Sequence, residues 1–357
     1  IEIKGEFTMY YDFDSNPSFV YSKEFNGAGR PIFERMFVAN KVTYTGTAVK
    51  ERTVSGMSEA NDIIRQMTPG EECTYSDAGK SSFGQIGTGN DILCVQTDGY
   101  YRTLTQQGTP IKSNEPIYVS LQKGWNFVSN PYPFSVTLDM LITQNASIDP
   151  SIWVRTYDYG SGEYCWITRS TELGTQTGGD ISDVSALQGM HVYAKESTTL
   201  EFNPASLSSR LGVELKSLVA DDMKTDELRL TVESDETDSY VDETVLVFRE
   251  GGSLDAIRGD AKKNSFGVTY STIAVAKGSQ QMAIAYLPDA SEMEDVIMPL
   301  VLTKSEGATQ LVISSKSIGA FDNRYDVILV DNLKGTNVNL REDNYIITDL
   351  SNLDSRF

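Results

Sequence analysis

Histidine is almost missing from this chain: His191 is the only one in 357 residues. A serine or cysteine triad needs an imidazole or an equivalent base. His191 lies in an apolar strand pattern between Met190 and Val192, where a ring edge packed in a core is the ordinary role. Cysteine is scarce as well. Cys73, Cys94 and Cys165 form no CxxC pair, which argues against a zinc site. Cys73 and Cys94 flank a Gly/Ser-rich loop and their spacing permits a bridge, with Cys165 left over; simple buried thiols are the alternative. Lys and Arg number 30 against 50 Asp and Glu, giving a formal charge of −20. Such a chain repels nucleic acid and anionic lipid, and no Lys/Arg cluster offsets the repulsion. Long apolar runs are absent too. The longest, residues 296–302, is far too short to span a bilayer, so no membrane insertion is expected. No GxSxG or HExxH occurs, and Gly79-Lys80-Ser81 ends like a phosphate loop but has Thr74 where the first glycine belongs.

What is present is enough apolar material for packed cores, 39% of residues, in a chain long enough for two or three domains. The opening Ile1-Glu2-Ile3-Lys4 has a strand pattern and reads as a mature or trimmed start. Residues 1–116 alternate short strand patterns with turn clusters. Ser58 to Met67 reads as one short helix, capped by Ser58 and closed by Pro69-Gly70.

The chain then reaches its most distinctive stretch, Gly124-Trp125-Asn126-Phe127-Val128-Ser129-Asn130-Pro131-Tyr132-Pro133. Two prolines around Tyr132 force a rigid extended corner. Trp125, Phe127 and Tyr132 supply large apolar area there, so Trp125, Asn130, Pro131, Tyr132 and Pro133 are expected as a buried structural corner. A short helix is expected over residues 135–142 and a hairpin over 153–168 across Gly160-Ser161-Gly162. Residues 203–225 form a polar connector in which Leu207, Leu211 and Leu215 permit a helix and Gly212 weakens it. From Glu227 onward, seven strand patterns without a long helix predict an antiparallel β-sandwich. The expected organisation is all-β: a β-rich region 1–204, with a distinct module at about 117–204, then a sandwich domain over 205–357.

Candidate chemistry is thin. The acidic run Glu233 to Glu243 carries six carboxylates, and Asp235, Asp238 and Asp242 are the candidate ligands for a structural calcium between strands; a solvated loop is the plainer reading. Trp153, Tyr157, Tyr159 and Trp166 could stack on sugar rings, although cross-strand aromatic pairs stabilise hairpins without any ligand. No other cofactor is expected. Carboxylate-only glycosidase chemistry needs two acids facing across a cleft and no histidine, so the shortage of histidine leaves it open.

Residues 124–133 resemble the GWN(L/F)(I/V)xNPYP signature of large secreted and surface proteins of Bacteroidetes, where it opens a β-rich module ahead of a type IX secretion sorting domain. The hairpin at 153–168 and the strand at 187–195 are similar to later segments of that module, with Met190-His191 in place of an aromatic pair. Asp242 to Phe248, Asp255, Asp260-Ala261-Lys262-Lys263, Tyr325 to Asp331, Asn339-Leu340, Asp343 to Ile347 and Arg356-Phe357 resemble its downstream pattern. The resemblance covers about 117–357, after which a sorting domain would be expected to follow, and residues 1–116 match nothing. It implies type IX export, display at the cell surface, and neighbouring domains or subunits of a surface assembly as partners. It implies no activity. The expectation is a non-catalytic structural or adhesive module, such as an adhesin or surface-layer part; the alternative is the accessory, glycan-binding region of a secreted hydrolase.

Overall fold

The computed structural model describes residues 20–25, 31–37, 42–45, 53–55, 63–71, 74–77, 93–96, 102–107 and 116–357, except 133–134, 159, 180, 185–187, 207–225, 293–294, 317 and 320. The chain is all-β: the only α-helix among the described residues is the seven-residue Leu138–Gln144. Two compact units form, residues 1–155 with 181–216 and residues 156–180 with 217–357. The second unit thus takes in a segment from the middle of the chain.

In the first unit, Val20–Phe25, Pro31–Phe37, Arg102–Gln107 and Thr53–Ser55 make one four-stranded sheet, in that order. Val42–Thr45, Leu93–Gln96, Ile63–Thr68 and Thr74–Asp77 make another. The helix expected up to Met67 is therefore corrected: residues 63–68 are a strand, paired antiparallel on both sides. β-branched Ile63 and Ile64 suit a strand, and seven residues are too few for apolar spacing to fix the period. The Cys73–Cys94 bridge, Pro133 and the connector helix lie outside the described residues.

The distinctive stretch supplies the strand Gly124–Ser129, buried along its whole length. It pairs antiparallel with Gly189–Ala194, which also pairs with the start of Ile148–Asp158. Ile117–Leu121 pairs with Thr198–Phe202, and Val136–Thr137 with Asp183–Val184. The helix Leu138–Gln144 buries Leu138, Leu141 and Ile142. Asn145 ends it, donating to Leu141 O at 2.7 Å and bridging to both main-chain groups of Glu201. One amide side chain thereby joins the helix end to a strand.

In the second unit, seven strands run in the order Leu300–Thr303, Thr272–Lys277, Gln280–Leu287, Asp242–Phe248, Glu227–Ser234, Leu311–Lys316 and Tyr345–Ile347. Ala261–Lys262 adds to the Gln280–Leu287 strand. The pairings are antiparallel with one departure: Asp242–Phe248 and Gln280–Leu287 run parallel, Val245 opposite Ile284. Period-two alternation gives the sheet two unlike faces. Leu228, Leu230 and Val232 join a cluster of twenty buried apolar residues that includes Phe321, Leu329, Leu340 and Leu353 of the C-terminal segment. Arg229 and Thr231 alternate with them, and so point to the other face. There the hairpin strand Glu163–Ser170 and the short Thr175–Gln176 meet the sheet through the bonds set out below.

Candidate functional site

The aromatic corner of the first unit is a packed joint. Trp125 is 7% exposed, and its ring meets Trp153 edge-on at 4.6 Å between centroids and Tyr193 at 5.5 Å. Gly189 lies against the ring of Phe127, which occupies the space a Cβ would need. Asn126 closes the preceding turn by accepting from Gln122 N and donating to the carbonyls of Gln122 and Gly124. Asn130 holds the corner itself: its Nδ2 donates to Val184 O at 3.0 Å and its Oδ1 accepts from Tyr132 N. Tyr132, fully buried, donates its hydroxyl to Phe202 O at 2.7 Å. The expected burial of Trp125 and Tyr132 is what the structure has.

His191 sits inside the same joint, its ring 5.1 Å from Phe127 and 5.9 Å from Trp125. Complete burial, aided by the positive charge of Arg155, holds its imidazole down at about 3. Such a ring stays neutral across the ordinary pH range. Tyr193, at the rim, donates to Glu71 at 2.6 Å; partial burial first, and that carboxylate second, push its hydroxyl up to about 12.

The other concentration of charge lies on the hairpin-covered face of the second unit. Arg229 donates to Glu243 at 2.6 Å and to Glu227 at 3.0 Å, and both carboxylates are almost wholly buried. Thr175 also donates to Glu227. This is a pair of acids close together, but each is bound to a guanidinium, where a glycosidase needs one acid free to give a proton to substrate. Lys277 is another buried charge. Its Nζ donates to Asp260 at 2.6 Å and to the carbonyls of Ser253 and Tyr286, with burial pulling its affinity for a proton down and Asp260 opposing. Asp260 in turn accepts from the amides of Ile257 and Tyr286. Lysine and acid are satisfied on every side. Arg356, fully buried, makes a two-pronged pair with Asp331, which also accepts from Tyr345; the guanidinium holds the Asp331 carboxyl well below the usual range.

The residues singled out by sequence fall in separate places. Asp235 is exposed and accepts from the amides of Thr309 and Gln310 and from the Thr309 hydroxyl, which holds it at about 2. Asp238 is exposed, with φ of +58°. Asp242 is buried, paired with Lys263 at 2.5 Å and bonded to the Ile273 amide. Among the described residues no group of three metal-ligating side chains comes together. Trp153 is fully enclosed in the first unit, and Trp166, 4% exposed in the second, donates its indole N–H to Phe266 O at 2.8 Å. Neither ring has a face open for a sugar. The side chains of Tyr157 and Tyr159 lie outside the described residues.

Sequence reasoning passed over Arg229, Glu227 and Lys277, and took Glu243 only as the end of an acidic run. A usable signal was there for Arg229, a charged residue between Leu228 and Leu230 in an alternating strand, with Glu243 diagonally across the ladder from it. No helix among the described residues is long and apolar enough to cross a membrane. Comparison with protein-family models, with curated proteins and with solved structures finds no match to this chain.

Proposed function

We propose that this chain is a non-catalytic structural or adhesive module of a secreted, cell-surface protein exported through the type IX system. The observation that carries the reading is the stretch Gly124 to Pro133 followed, in order, by the downstream segments similar to the Bacteroidetes module. The geometry is in keeping with it. The chemically able groups named above hold the fold: His191 in an aromatic joint, Asp242 and Asp260 on lysines, Glu227 and Glu243 on Arg229. An acidic exterior with specificity carried on loops suits such a module. Its partners are then neighbouring domains or subunits of a surface assembly.

Two experiments test this. Protease shaving of intact cells should release the chain from wild-type cells and not from cells lacking type IX export. A panel of polysaccharide and peptide substrates should show no turnover by the isolated chain. Hydrolysis abolished by replacing one Asp or Glu would overturn the reading, and selective retention on a polysaccharide column would favour the glycan-binding alternative.

A further inference from the structure

We propose that the oxygens around the end of the strand Thr272–Lys277 form a binding site for a monovalent cation, and that the Lys277 ammonium is its built-in occupant. The observation that carries this is the set of ligands. Nζ donates to Asp260 Oδ1 and to Tyr286 O, both at 2.6 Å, and to Ser253 O at 2.8 Å, which uses all of its protons. The Asp255 carbonyl stands further off, at 3.5 Å. The side chains of Lys277 and Asp260 are 0% and 3% exposed, so bulk water does not reach the pair. These oxygens bring a single negative charge, and a single positive charge balances it. That balance selects the class of ligand. Calcium takes about six to eight oxygens, several of them carboxylate; this smaller set suits one positive charge, and N–H donors above all.

The surrounding backbone places these oxygens without help from the lysine. Asp260 is aimed by the amides of Ile257 at 2.7 Å and Tyr286 at 2.6 Å. The loop that carries Ser253 is tied to the strand Gln280–Leu287: the Arg249 amide donates to Leu287 O at 3.0 Å and the Ser253 amide to Tyr286 O at 3.2 Å. Gly251 and Gly259, with φ of +86° and +101°, lie against Tyr286, where a Cβ on either would stand 3.0 Å from that side chain. Tyr286 donates its hydroxyl to Glu250 O in the same loop. Each ligand thus has an anchor of its own. With the ammonium gone, Asp260 becomes a buried carboxylate lacking a counter-ion, a costly state that draws in a replacement cation. In the parent, the tether gives the Lys277 ammonium an effective concentration that free cations do not match.

The test removes the tethered cation from the full chain and supplies a free one. Lys277→Ala should unfold at a lower urea concentration than the parent. Propylammonium, which replaces both the lost stem and its charge, should raise that midpoint in a saturable way and return about half of the loss or more, as linkage requires of a ligand held by the folded state alone. The parent should not respond, because Lys277 already fills the site. Neither n-propanol, which lacks the charge, nor tetramethylammonium, which lacks N–H donors, should return much of it. Asp260→Asn combined with Lys277→Ala should cancel the effect of propylammonium. If Lys277→Ala is unfolded in plain buffer, the reading is recovery of its far-ultraviolet signal on adding propylammonium. The absence of any saturable gain with propylammonium, or an equal gain with n-propanol, would overturn the proposal.

Discussion

Gly124 stands back to back with Gly70, so close that a Cβ on Gly124 would overlap the Gly70 carbonyl. The Trp125 amide donates to Gly70 O at 2.5 Å, and the Gly70 amide donates back to Trp125 O at 3.0 Å. Gly124 also has φ of +97°, a region that side-chain-bearing residues avoid. Space and backbone angle therefore demand glycine for independent reasons. Gly124→Ala should destabilise the first unit by at least about 2 kcal/mol. Urea denaturation followed by tryptophan fluorescence measures it, and a midpoint equal to the parent's would refute the close approach.

Trp125→Ala should cost roughly 3–5 kcal/mol, the range for a large aromatic lost from a core. Tyr132→Phe should cost about 1–2 kcal/mol, because the Phe202 carbonyl loses its donor in a buried place. A Trp125→Ala chain that melts with the parent but no longer adheres would make this corner a ligand surface instead of a joint.

Acid should weaken the fold through His191 before the carboxylates titrate. Its folded value of about 3 lies below the unfolded value of 6.5. From pH 6.5 downward the unfolded chain takes up a proton that the folded chain refuses until near 3. Stability from this group is thus complete above 6.5 and falls through that window, by up to about 1.4 kcal/mol per pH unit. Denaturant midpoints between pH 6.5 and 5 should slope accordingly, and His191→Gln should flatten the slope. An equal slope in both proteins would mean that His191 is solvated.

The C-terminal pair offers a sharper test. Removing either partner alone, by Asp331→Asn or Arg356→Met, should destabilise by about 3–5 kcal/mol, since the survivor is a buried charge without its counter-ion. Replacing both with apolar residues, Asp331→Leu with Arg356→Met, should recover most of that loss. Single and double variants of equal stability would show that the pair is solvated.

How much of this was legible beforehand depends on the range of the interaction. The corner was readable because Asn130-Pro131-Tyr132-Pro133 dictates its own backbone. The hairpin at 153–168 was readable from alternation around glycines. Thr272–Lys277 went unnoticed because Ile273, Ala274 and Val275 make an unbroken apolar run, buried on both faces, where alternation vanishes. Thr336–Asn339 has a single apolar residue, Val338, too few to show an alternation. The allegiance of residues 163–176 to the second unit could not be read at all, because it rests in part on Arg229 and Arg249, 53 and 76 residues from the carbonyls that they grip, and every residue possesses a carbonyl. The candidate aromatic platform failed in a similar way: alternation places Trp153 on a face but does not say what covers that face.

The parallel pairing of Asp242–Phe248 with Gln280–Leu287 sets the order in which the second unit can assemble. On one side of that line, Thr272–Lys277 and Gln280–Leu287 close locally across Gly278-Ser279. On the other, Glu227–Ser234 and Asp242–Phe248 close across a short acidic turn. Each half can zip early from its own hairpin. The seam between them cannot, because parallel neighbours need a long crossover, here residues 249–279, to be gathered in first. Thr244 sits at the seam's edge, its hydroxyl within bonding distance of the carbonyls of Met282 and Ala283. Folding of this unit is therefore a two-leaf closure, rapid within each leaf and slow along one line.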